Sequence, residues 1–331
     1  MNRLPSARRH ADAALAGADL SNVDLTGSDL RGARLVGTDL RSAVLTQANL
    51  EGADLEHADL RGALLEGTLL TNAKLVNART DGARFVGAAL ERSNFGGTSL
   101  ANCTFEASDL RQAIFRDARI LGSHFLTSDL AQADFSSSHL EHVTITGCSL
   151  IRCSLIEAHL SRVQATGVNL AEANFGRARI EESRLRDIDA PRAKLPAVTF
   201  ERSEILLASL FQAELTGALF DHVILSECRL DRASLQRSRL TLVTATSTSF
   251  DFSDFRESRF IGGAFRHCRF LAADCRGAIA ERVDYRDSDF WSAQLEFFRR
   301  VDCLEDNVRF PEEQMITIAP RSVSIPRPPK H

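Results

Sequence analysis

Asp19, Asp39 and Asp59 recur at a 20-residue interval, and Arg41 and Arg61 each follow one of these aspartates by two positions. Nine histidines and seven cysteines are the other groups able to support acid–base, nucleophilic or metal chemistry. They form no familiar site. There is no Cys-x-x-Cys pair or Cys/His ligand spacing, and no Gly-x-Ser-x-Gly, phosphate-cradling glycine loop or His-Glu-x-x-His. Cys103, Cys148, Cys153, Cys228 and Cys268 share one phase of the chain with alanine and serine, which makes them small apolar fillers in a reducing compartment. The chain therefore reads as a non-enzyme, with no catalytic, cofactor-binding or metal-binding residues.

The elements that carry these side chains are set by a period of five. In "AGADLSNVDLTGSDLRGARL" the leucines are Leu20, Leu25, Leu30 and Leu35. A helix turns about 140° beyond a full turn in five residues, which scatters them. A flat strand sends successive ones to opposite faces. A chain that bends inward every five residues gathers them into one axial column. Of the 57 positions divisible by five from Leu15 to Leu295, 51 are Leu, Ile, Phe or Tyr, so the pattern dictates the whole architecture. The exceptions, Thr80, Ala165, Ala190, Ala245, Cys275 and Ala280, are all small. Two residues earlier runs an uncharged column, nearly all small. Sixteen of the 19 glycines fall two residues later, marking that phase as a corner.

Blocks such as "ADLRG" and "ANLEG" resemble the A(D/N)LXX pattern of the pentapeptide-repeat family over most of the chain. The resemblance implies an all-β, right-handed quadrilateral parallel β-helix with four blocks per coil. The 57 blocks then make about fourteen coils, a rod of about 65–70 Å at the usual strand spacing. The expected organisation is a lead-in or cap over residues 1–12, the β-helix over 13–295, and a C-terminal segment over 296–331. "LEFFRRVDCLEDN" places Leu295, Phe298, Val301 and Leu304 on one face of a short helix, which either caps the last coil or pairs with a second copy in a homodimer. A proline-rich tail follows. "RDIDAPRAKLPAV" is the clearest internal irregularity, read as a bulge or bend or as a size exchange between Ile188 and Ala190.

Net charge is −4, which gives no expectation of direct nucleic-acid binding. No apolar run is long enough to span a membrane or act as a secretory signal, so the expected location is cytoplasmic, with signal-independent export as an alternative.

With 20 residues per coil, residues of equal phase stack on one face. His139 and His159 become surface neighbours, and Asp19, Asp39 and Asp59 become a carboxylate ladder largely cancelled by neighbours such as Arg41 and Arg61. Ile151, Phe211, Leu271 and Trp291 share an outward column, and Phe297 and Phe298 adjoin Trp291 in sequence. Phe211, Leu271, Trp291, Phe297 and Phe298 are the candidate partner contacts. The leading expectation is a rigid scaffold that binds protein partners along its faces or at its C-terminal end. The family resemblance adds two alternatives: a DNA mimic that binds type II topoisomerase (gyrase) and protects it from inhibitors, or a component or effector of a bacterial secretion system. Mimicry needs uncompensated negative charge, which the alternating signs of these columns oppose.

Overall fold

A computed structural model describes residues 15–311 of the 331-residue chain. Throughout them the backbone meets itself every 20 residues, always in parallel: Asp19 faces Asp39, Leu100 faces Ile120, and Ala280 faces Arg300. Four pentapeptides thus make one turn of an all-β solenoid, and each turn rests only on its neighbours. Two adjacent faces carry true strands, in sheets of 10 and 11. The longer sheet marks about eleven turns of full strand pairing, and single bridges of the same step carry the ladder back to Asp19. The expected lead-in and proline-rich tail lie outside the described residues.

The repeat motif follows from an inventory of backbone amides. Around Leu20, three N–H groups serve the neighbouring coil: Leu20 donates to Asp39 O at 2.8 Å, Asn22 to Arg41 O at 2.8 Å, and Asp39 to Ala18 O at 2.9 Å. Val23 N–H closes the corner onto Leu20 O at 3.3 Å. Ser21 N–H is left over, and Asp19 Oδ1 accepts it at 3.0 Å. The same bond joins Asn94 to Gly96, Asp129 to Ala131 and Asn169 to Ala171. The Asp or Asn of each block is therefore a local cap for the one amide that the coil ladder does not use.

Pro191 and Pro196 occupy that same position, so each deletes a donor with no ladder role. Their carbonyls accept from Glu172 and Arg177 at 3.0 and 2.9 Å, and the register passes through without interruption. Ile188 and Ala190 are both buried, as a size exchange requires. None of the 21 strands begins with Asp or Asn, so strands form only in blocks that lack the side-chain cap, while others without it, such as those of Leu64 and Leu69, keep single bridges.

Corners that follow the strands are tied differently. Cys103 N–H donates to Ser123 Oγ at 2.9 Å, and Ser123 Oγ donates to Leu100 O at 2.6 Å. Cysteine thiols repeat the second bond: Cys148 to Phe125 O, Cys228 to Ile205 O and Cys268 to Ala245 O, at 3.3, 3.1 and 3.6 Å. These cysteines bridge coils as well as fill space. Corner residues two past each central site have positive φ whether or not they are glycine, as Gly17 at 69° and Asn22 at 58° illustrate. Glycine eases this conformation, and the ladder imposes it on other residues.

The axis is dry and aromatic in two stretches. Phe85, Phe105 and Phe125 stack at 4.7 and 4.8 Å, and Phe95, Phe115 and Phe135 form a parallel stack at 4.9 and 4.7 Å. Successive rings of the two stacks meet edge-to-face at about 6 Å, a favoured aromatic geometry.

The C-terminal expectation is corrected. No helix occurs among the described residues, and Arg299–Val301 is the last strand of the longer sheet. The five-residue step continues past Leu295 with Arg300, Glu305 and Phe310 at the central phase. Val301 and Leu304 point outward, 42% and 52% exposed, so the four apolar residues do not share a face. Charged residues are tolerated on the axis here because they pair: Arg300 Nη1 lies 3.3 Å from Glu305 Oε1 and its guanidinium lies 4.1 Å from the Phe310 ring centre.

Candidate protein-interaction surface

Outward side chains come from the positions before and after each central residue and from the corners. On the face of Leu40 and Leu60, Arg41 and Arg61 fork onto Asp39 and Asp59. Arg41 Nε lies 2.9 Å from Asp39 Oδ1, and Arg61 Nε lies 2.8 Å from Asp59 Oδ1. Hydrogen bonds from Arg41 hold the Asp39 carboxyl down at about 2, against an ordinary 3.8. The same pairing recurs at Asp109–Arg111, Asp254–Arg256 and Asp274–Arg276. Asp19 lacks an arginine two residues on and binds Ser21 instead. Asp81 turns away from Arg79, accepting Ser99 Oγ at 2.6 Å and Ala101 N–H at 3.2 Å from the next coil.

The aromatic candidates separate into different environments. Phe211, Leu271 and Trp291 do share a column, but Asp231 and Asp251 stand between Phe211 and Leu271. Asp251 is buried and accepts the Leu271 N–H at 3.0 Å. Arginines cover both rings: Arg229 lies 4.7 Å from the centre of Phe211 and Arg309 lies 4.0 Å from that of Trp291. Phe297 is a corner residue, 87% exposed. Phe298 instead packs against the core, beneath Arg300.

The richest apolar surface lies elsewhere. Of the eleven exposed large hydrophobic residues among those described, five fall between Leu207 and Phe252: these two with Leu219, Ile224 and Leu242. Leu219 and Ile224 flank the corner residue His222, and Leu242 occupies the same corner one coil on. The three exposed aliphatic residues thereby lie about one edge of the rod, on two adjoining faces and the corner between them. Sorting outward residues by 20-residue column brings out Leu242, the one large apolar residue of its corner column, whereas the columns of Leu219 and Ile224 also hold Ile279 and Val44, Leu64 and Leu304.

Six of the seven cysteines are buried. Burial pushes the thiols of Cys103 and Cys228 up to about 11 and that of Cys268 to about 12, far from thiolate chemistry at neutral pH. His139 and His159 meet edge-to-face at 5.9 Å. No group of three or more His, Cys, Asp or Glu residues among those described could hold a metal ion. No helix among them is long and apolar enough to cross a membrane.

Comparison with known proteins agrees with this architecture. Residues 78–152 match the family model described as pentapeptide repeat region, and residues 11–47, 48–79, 148–187 and 208–244 match pentapeptide repeats. No curated protein matches the chain. Among solved structures, HetL from the cyanobacterium Nostoc, a pentapeptide repeat protein involved in heterocyst differentiation regulation, is 26% identical. That match covers 60% of this chain and 88% of HetL, with a TM-score of 0.21. QnrB1, a plasmid-mediated fluoroquinolone resistance protein, is 15% identical over 62% of this chain and 92% of its own, with a TM-score of 0.31. A pentapeptide repeat protein of the Arabidopsis thaliana thylakoid lumen is 34% identical over 26% of this chain and 66% of its own, with a TM-score of 0.19. The family models together span more than half of the sequence, and the chain belongs to the pentapeptide-repeat family.

Proposed function

We propose that the protein is a non-enzymatic scaffold that binds a protein partner along one edge of its solenoid. The observation that carries this reading is the cluster of Leu219, Ile224 and Leu242, each more than two-fifths exposed. Surface apolar groups occur singly on most proteins, and three exposed aliphatics about one edge are what a contact patch would need. Phe297 supplies a second, C-terminal contact. The rest of the chain supports the role through stiffness, since nearly every coil is tied to the next by several backbone hydrogen bonds.

A type II topoisomerase partner is the second reading, by the family resemblance. The pairing of Asp39 and Asp59 with Arg41 and Arg61 weighs against it, because paired charges present little net field. Two assays test the readings. Crosslinking in cells with wild-type protein and with the L219E/I224E/L242E variant reads the edge, and unchanged crosslinked partners would refute it. Supercoiling by gyrase, measured with and without the protein, reads the second, and inhibition at micromolar concentration would establish it over the first.

A further inference from the structure

The axis of the solenoid is filled almost everywhere, with central residues at zero to two per cent exposure from Leu30 to Leu140. Between Ile145 and Leu210 the packing loosens. Leu170 and Leu210 rise to 8% and 7%, and Leu185 is no longer fully buried. These side chains line an internal cavity of about 60 Å³.

The cause is legible in the columns. Ala165 stands between Ile145 and Leu185 in its stack, and Ala190 between Leu170 and Leu210. No aromatic ring lies in either short column to reach across the gap. By contrast, Ala245 is followed by Phe265 one coil on, close to Phe250 and Phe270, and is completely buried. The larger fillers Val168 and Ile188 recover part of the lost volume and leave the remainder open. The two longest strands, Gln164–Asn169 and Arg184–Asp189, pair along one wall and close it.

We infer that this cavity is a binding site for a single compact apolar guest, of the class of a noble-gas atom or a very small hydrocarbon. Every lining residue is aliphatic or phenylalanine. A buried water needs two to four polar partners, so such a space stays dry and favours an apolar occupant. The volume suits a xenon atom and is too small for most metabolites.

Xenon under pressure is the probe. Crystals of the full chain pressurised with xenon should show one site bounded by Ala165, Phe175, Leu185 and Ala190, and xenon should raise the unfolding temperature. The A165L variant should fold, lose the site and lose the xenon-dependent shift. A190V, a smaller change, serves as the second variant if A165L does not fold. Ordered water in the wild-type cavity, absence of xenon from it, or equal xenon shifts in wild type and filled variant would overturn the inference.

Discussion

Asp39 and Arg41 flank the buried Leu40 and meet outside it, with Arg41 Nε 2.9 Å from Asp39 Oδ1 and Nη2 2.5 Å from Oδ2. The arrangement answers this carboxylate within its own block, whereas pairs such as Arg152–Glu172 and Arg184–Glu204 run between coils. It also gives the aspartate two tasks, because the Arg41 backbone N–H donates to the same Oδ1 at 3.1 Å.

The first prediction concerns acid. The Asp39 carboxyl titrates near 2 when folded and near 3.8 when free. A depressed carboxylate contributes stability that is fully present above the unfolded value and is lost as pH falls through the folded one. Asp59, Asp109 and Asp274 shift in the same direction for the same reason. Glu172 and Glu182 are lowered too, by Arg152 and Arg162, so stability should decline from about pH 5.5 toward pH 2. Carboxyl NMR should find Asp39 near 2 in the wild type and closer to 3.8 in R41M. An unchanged value in R41M would remove the arginine as the cause.

The second prediction uses the unemployed amide. Ala131 N–H is served only by the Asp129 side chain, at 3.0 Å, whereas Ala133 N–H closes the corner onto Leu130 O at 3.0 Å in the buried interior. A131P should be nearly neutral, since it places proline at the phase that Pro191 and Pro196 occupy without interrupting the ladder. A133P leaves a buried carbonyl without its donor and should cost about 1–3 kcal/mol. Chemical denaturation of the two variants decides it, and equal losses would contradict the amide inventory.

This contrast marks what the sequence reveals and what it withholds. Leu20 to Leu35 show the five-residue step directly, because burial selects residue size at one phase. The role of Asp or Asn before each central leucine is not visible in that pattern, since any polar residue suits an outward phase. Only the hydrogen-bond inventory distinguishes Asp19, which caps Ser21 N–H, from Arg84, which opens a strand. Leu219, Ile224 and Leu242 were obscured for a related reason: they lie 5 and 18 residues apart, and the 20-residue coil must be imposed before they become neighbours.

A third prediction concerns Gly263, which takes the filler phase two residues before Phe265 with φ at +85°. A Cβ there would strike the Val243 carbonyl oxygen and lie 2.8 Å from Val243 N. Both are backbone atoms of the adjoining coil and cannot swing aside. G263A should therefore lose about 2–4 kcal/mol. G217A, at a corner with φ +69° and no atom within 4 Å of the new methyl, carries only the left-handed penalty of about 1 kcal/mol. Thermal unfolding of the pair should rank them in that order.

The last prediction concerns the C-terminal turn, where the charged residues at central positions conceal the continuing period. A central side chain in mid-rod has hydrophobic coils above and below, and an ion there would be stranded. Among the described residues no coil follows that of Arg300 and Glu305, which lie on the axis as a half-buried pair with the guanidinium over Phe310. Beneath them, burial raises the Tyr285 hydroxyl well above its ordinary value, which keeps it neutral. R300A removes both the ion pair and the ring contact while leaving Glu305 and the Phe298–Phe310 surface uncovered. Hydrogen exchange should then quicken in residues 296–311 by about tenfold, equivalent to about 1.4 kcal/mol of local stability. Residues 100–280, held by coils on both sides, should keep their wild-type rates. Uniform acceleration along the rod would show that Arg300 supports the whole fold and not its last turn.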